Sequence, residues 1–215
     1  FSEHFHDAIK SAVVKTNARI RDSLIDGRPT PETRRLQSPD SIAAAVVWEF
    51  PPFFNYLDQI ELQLRSSDFT ARFPGLVTAY LPALGVYQHW LLVLDPTKFS
   101  RWWRGSTVMI DGTLLGTDKI LHFVHVGYLY FSTYRSELAT EATEEQAIRS
   151  AVDLGNGSNL MSERAFLGAF STGVVSNADL AVNFVGLNFY RNLTEPVSLR
   201  GTVQPKQLHV DDWII

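Results

Sequence analysis

The sequence contains no cysteine, which excludes disulfides, thiolate zinc sites and a cysteine nucleophile together and says nothing about compartment. Basic charge is also not in excess. The 19 Lys and Arg stand against 23 Asp and Glu, for a formal net charge of -4 and a pI near 5.9. No field exists to hold a phosphate backbone, so nucleic acid is not an expected partner. Long apolar runs are lacking too. Leu76 to Leu94 is broken by Pro82, Gln88 and His89, and Ile120 to Phe131 by His122 and His125. Neither is a clean span of about 20 apolar residues. There is no Walker loop, no G-x-S-x-G, no H-E-x-x-H and no G-x-G-x-x-G, which disfavours nucleotide enzymes, α/β hydrolases and zincins. No cofactor is expected.

What is present is globular usage, 45% hydrophobic and 20% charged over 215 residues, with no repeat, low-complexity segment or separating linker. The expected architecture is mainly α: a single-domain helical bundle of about seven helices over residues 1–215, with an extended C-terminal tail. An aromatic-rich half (1–105) precedes a polar-cluster half (106–191) and the tail (192–215). Helical spacing of Phe5, Ile9, Ala12, Val13, Ile20 and Leu24 predicts an amphipathic helix from Ser2 to about Ile25, ended by a loop at Asp26–Arg35 that carries Gly27, Pro29 and Pro31. Ser38-Pro39-Asp40 starts a second helix running to Phe50, and Phe53 onward resumes a third. Phe73 to Pro96 reads as a buried helix kinked at Pro82, and Ser106–Thr113 as a short strand or extended loop. Helices follow over Thr117–Leu138, over Thr143–Leu154 from the box Thr143-Glu-Glu-Gln146, over Met161–Phe170, and over Ser176–Tyr190 from the box Ser176-Asn-Ala-Asp179. In the tail, Val203, Leu208, Val210 and Trp213 are expected to pack on the body.

Polar residues in apolar places supply the candidate site. At about 100° per residue, Asp118, His122 and His125 in "TDKILHFVHVGYLYF" share one helix face. That spacing lets an aspartate orient a histidine, or two histidines and a carboxylate hold a metal. A plainer reading has Asp118 beside a Thr117 cap and the histidines as hydrogen-bonded core residues. Glu163 follows a Gly/Asn/Ser loop and precedes apolar residues that would raise its pKa, as a general acid at neutral pH requires; a first-turn dipole role is the alternative. Asp179 fits a capping role as the acidic member of its box, whereas Asn183, four residues on and among Ala181, Val182 and Phe184, must find buried partners. Ala178, Ala181 and Gly186 allow another helix to approach closely. Glu49 between Trp48 and Phe50 is the rival for a carboxyl with a raised pKa. Trp102 and Trp103 offer platforms for sugar rings or lipid edges, with core packing as the plainer reading of the aromatic residues. The His4-to-Asp7 run "HFHD" reads as solvated surface.

The motif Asp118, Lys119, His122 and Phe123, followed by Glu163 and then by Ser176, Asp179, Asn183 and Gly186, resembles a known pattern. It is similar to the Asp-Lys-x-x-His-Phe signature of VanZ-like membrane proteins and of small predicted periplasmic lipoproteins of bacteria. In the lipoproteins a glutamate segment and a Ser-x-x-Asp-x-x-x-Asn-x-x-Gly helix come after it. The resemblance covers Thr117 to Tyr190, about a third of the chain, and implies a bacterial cell-envelope setting, periplasmic or secreted, without supplying a reaction. The chain departs from VanZ-like proteins in lacking their multiple spans and in its aromatic N-terminal half. The expected function is an envelope hydrolase acting on a glycan or lipid-linked glycan, with membrane-surface association. Glu163 would be the general acid, Asp179 or His122 its partner, and His125, Asn183, Asp118, Trp102 and Trp103 the substrate contacts. The alternative is a non-catalytic binding or scaffold protein with a structural polar network. Neither the metal nor the oligomeric state is assigned from sequence.

Overall fold

A computed structural model describes residues 2–78, 106–110, 112–157, 159, 162–165 and 175–208. They are predominantly helical, with two small sheets. Helix α1 (Ser2–Ser23) buries Ala8, Ala12, Thr16 and Ile20, one residue per turn, against α3 (Pro39–Val47), whose Ile42, Ala43, Val46 and Val47 face it. A side chain such as Ile42, wholly withdrawn from water, contributes about 1.5–3 kcal/mol.

Between them the expected loop contains a helix, α2 (Pro31–Leu36). Pro31 takes the first helical position, where its missing N–H is not needed, and Thr30 and Thr33 form a reciprocal capping box. After α4 (Phe53–Leu64), Ser66 caps a second unanticipated helix, α5 (Ser67–Arg72). The described part of the expected Phe73–Pro96 helix is not helical: it turns at Phe73–Leu76 and enters strand β1 (Val77–Thr78). Pro82 and the remainder of that segment lie outside the described residues.

Strand β1 pairs antiparallel with β2 (Thr107–Ile110), and β2 with β3 (Thr113–Gly116), closing on Ile110↔Thr113. Gly112, with φ +76°, supplies the left-handed position this tight turn demands. The long polar-cluster helix begins as α6 (Asp118–Leu121), passes through a π-helical segment (His122–Val126) and continues as α7 (Gly127–Leu138). It packs on α8 (Glu144–Asn156) and α9 (Asn177–Asn192). With α6 to α7 taken as one, the described residues hold eight helices rather than about seven.

The α7–α9 contact is made possible by two glycines. A Cβ on Gly127 would lie 2.6 Å from the Gly186 Cα, and one on Gly186 would strike the Phe123 carbonyl oxygen. Backbone therefore meets backbone beside the π segment. Beyond α9 the tail forms a hairpin, β4 (Val197–Leu199) with β5 (Thr202–Gln204), turning on Arg200 and Gly201, both at positive φ. Leu208 is buried as expected, while Val203 is 66% exposed on the hairpin. Val210 and Trp213 lie outside the described residues. Among the described residues, no helix is long and apolar enough to cross a membrane.

Candidate functional site

The site is built at the start of the long helix, the start of α9 and the turn after α8. Thr117 does not cap α6 with its side chain. Its hydroxyl instead donates to Glu61 at 2.5 Å. Glu61 also accepts the Ser106 amide (3.1 Å) and hydroxyl (2.7 Å), and pairs with Arg65 at 2.8 Å. This buried carboxylate is fully engaged and ties α4 to the strand and helix that lead into the site. It is the reference against which Glu163 stands out.

Glu163 lies in a turn, Ser162–Ala165, where a helix was expected; residues 166–170 of that segment lie outside the described residues. The turn is pinned to the end of α8, since the Glu163 amide donates to the Gly155 carbonyl at 2.8 Å. Gly155 is also where the Tyr130 hydroxyl rests, and a Cβ there would sit 2.6 Å from Tyr130 Cζ. Glu163 is 0% exposed, yet among the described residues neither carboxylate oxygen has a hydrogen-bond partner. A buried polar group without a partner normally costs about 1–3 kcal/mol, more for a charged one.

His122 and Asp179 face that carboxyl. His122 Nδ1 is 3.0 Å from Asn183 Oδ1 and 3.8 Å from Glu163 Oε1. His122 Nε2 is 3.7 Å from Asp179 Oδ2. Asn183 donates its amide to the Tyr130 hydroxyl at 3.5 Å, so its Oδ1 is left as an acceptor and Nδ1 of His122 must carry the hydrogen. Ser176 accepts the Asp179 amide at 3.2 Å, but Asp179 does not return a side-chain bond to close the expected capping box. Its Oδ1 pairs instead with the Lys119 ammonium, which also holds Asp118 at 2.7 Å.

Burial and the neighbouring Asp179 push Glu163 up to about 7. The Ser176 amide and Lys119 pull the other way, but the amide forms no hydrogen bond to the carboxyl. For Lys119, burial lowers the pKa and the two aspartates outweigh it, leaving the ammonium above its ordinary range. One ligand-capable atom from each of His122, Glu163 and Asp179 lies within 4.8 Å of the others. Such a group can pass a proton or hold a cation.

The structure thus brings His122, Glu163, Asp179 and Asn183 together, with Asp118 at the edge through Lys119. His125 is elsewhere. It donates from Nε2 to the Pro51 carbonyl at 3.0 Å and packs edge-on against Phe53 and Tyr56, and burial lowers its pKa against the effect of that bond. The expected common face fails because the π segment inserts extra backbone into the turn between the two histidines, so the 3.6-residue count no longer applies. A metal site from His122 and His125 is corrected accordingly: the groups facing His122 are carboxylates. Glu49 is no rival, because although burial pushes it up, hydrogen bonds from Lys15 and Ser11, both 2.8 Å, bring it below its ordinary range. Trp102 and Trp103 lie outside the described residues. Sequence reasoning left Lys119 and Tyr130 out of the site. A lone lysine inside an apolar helical run was the available signal for the first, and nothing local marked the second. An open polar groove of about 540 Å³ along α7 and α8, lined by Glu137, Gln146, Arg149 and Asp153 among others, contains none of the cluster.

Comparison of the chain with protein-family models, with curated proteins and with solved structures finds no match.

Proposed function

We propose that the chain is a hydrolase of the bacterial cell envelope, periplasmic or secreted, that acts on a glycan or lipid-linked glycan through carboxylate acid/base chemistry centred on His122, Glu163 and Asp179. The observation that carries this reading is Glu163: a wholly buried carboxyl with no hydrogen-bond partner among the described residues, set against a histidine and a second carboxylate. A group kept for stability is satisfied, as Glu61 is; one kept for chemistry is left available. Lys119 engages one oxygen of Asp179, and Asn183 fixes the tautomer of His122, so the reacting groups are held in place. The glycan class and the envelope setting are supported by the sequence resemblance and the aromatic content.

The test is release of soluble fragments from dye-labelled cell-wall sacculi and from a lipid-linked oligosaccharide. The wild type should release them, and Glu163→Gln should not while melting no lower. Release by a folded Glu163→Gln variant, or none by the wild type on either substrate, would reject the reading.

A second reading is favoured by one observation, the hydrogen-bonded chain His122–Asn183–Tyr130 linking the long helix to α9. In a non-catalytic scaffold this chain fixes helix packing. Asn183→Ala would then destabilise by about 1–3 kcal/mol, and Glu163→Gln would leave the protein's cellular role intact.

A further inference from the structure

We propose that His122, Glu163 and Asp179 bind one divalent cation of the first transition row, of the Zn²⁺ or Mn²⁺ type. Three observations independent of the residue types point there. The first is the pair of Glu163 oxygens, at 0% exposure and without a hydrogen-bond partner among the described residues, since lone pairs withdrawn from water and from those donors are what a cation would take up.

The second is the tautomer of His122. With Nδ1 turned to Asn183 Oδ1 at 3.0 Å, Nε2 faces Asp179 Oδ2 across 3.7 Å. That separation is too long for a hydrogen bond between the two atoms and leaves space between them that an ion bound to both would fill. A ring nitrogen donating to a carbonyl oxygen while the other stays free is the usual support of a metal-bound histidine.

The third is the supporting shell of Asp179, whose other oxygen is held by Lys119, as ligating carboxylates generally are. Three atoms bound at about 2.1 Å would stand about 3–4 Å apart. The present separations, all within 4.8 Å, need only a small inward movement of side chains. One imidazole and two carboxylates suit zinc or manganese better than calcium.

What the cation does rests on the hydrolase reading, whereas its binding does not. Bound by one oxygen of Glu163, it leaves the other to accept the proton of a cation-bound water. The hydroxide so formed would attack the anomeric carbon, the glycosidic C–O bond would break, and the protonated carboxyl would pass its proton to the leaving oxygen, consuming one water and restoring the carboxylate.

The experiment is calorimetric titration of the EDTA-treated, dialysed full chain with Zn²⁺ and with Mn²⁺, alongside melting curves. A His4→Ala/His6→Ala variant removes the exposed "HFHD" cluster as a source of adventitious sites. One equivalent should bind in both the wild type and that variant and raise the melting temperature. Glu163→Gln and Asp179→Asn, both isosteric, should each weaken binding at least 100-fold. Absence of stoichiometric binding by either ion overturns the proposal, as does binding lost with His4 and His6 but kept in Glu163→Gln. Binding without hydrolysis would uphold the site and sink the hydrolase reading, and full hydrolysis in EDTA would do the reverse.

Discussion

Replacing Glu163 by glutamine in cation-free protein should make the protein more stable, and only above a defined pH. In the fold Glu163 titrates at about 7 instead of near its ordinary 4.5. Each pKa unit corresponds to about 1.4 kcal/mol, so the shift amounts to about 3 kcal/mol, taken without discount because the side chain is fully buried. The sign follows from linkage: the folded state holds the proton more tightly than the unfolded chain. The stabilisation is therefore complete below 4.5 and is lost as pH rises through about 7. Glutamine has the same shape and no proton to lose. At pH 4.5 the two proteins should melt together; at pH 8 in EDTA, Glu163→Gln should be more stable by up to about 3 kcal/mol. For a chain of this length that is about 6–12 °C in melting temperature. Urea denaturation at both pH values, with calorimetry, measures it. A variant destabilised by more than about 1 kcal/mol at both pH values would show that Glu163 makes structural hydrogen bonds, and the reasoning from its isolation would fail.

The same substitution at the other buried glutamate should have the opposite sign. Glu61→Gln unpairs Arg65 and weakens the bonds from Ser106 and Thr117, and urea denaturation should show a loss of about 2–4 kcal/mol. His125→Ala, which removes the bond to Pro51 and the contacts with Phe53 and Tyr56, should cost about 1–3 kcal/mol and leave cation titrations unchanged. Gly186→Ala forces α9 away from Gly127 and Phe123. It should cost about 3 kcal/mol in thermal unfolding and weaken cation binding with it, because His122 and Asp179 sit on the two helices being parted.

Much of the helical content was legible because capping is local chemistry. Ser38, Thr143 and Ser176 each accept the amide three residues on, and each could be read from its own few residues. Pro31 misled because the residue that breaks a helix interior also suits a helix start, and only the partnership of Thr30 with Thr33 decides between them. Val77 reads as helix from its apolar neighbours, yet it joins a sheet whose partner strand begins at Thr107, too distant in sequence for periodicity to register. Within the candidate site, residue types and helical spacing singled out His122, Asp179 and Asn183, and the isolated acid drew attention to Glu163. The π segment was out of reach: it accompanies the approach of Gly186 to Phe123 and Gly127, a contact between residues about sixty apart. The engagement of Lys119 with Asp179 is likewise tertiary, as is the perch of Tyr130 on Gly155.

Anomalous diffraction at the zinc edge, from crystals grown with Zn²⁺, tests the central claim most directly. A single strong peak bounded by His122 Nε2, Glu163 and Asp179, and absent from Glu163→Gln crystals, is the predicted result. A peak confined to His4 and His6, or no peak in the cluster while its side chains keep their positions, would contradict the account and leave the buried carboxyl without the role argued for it.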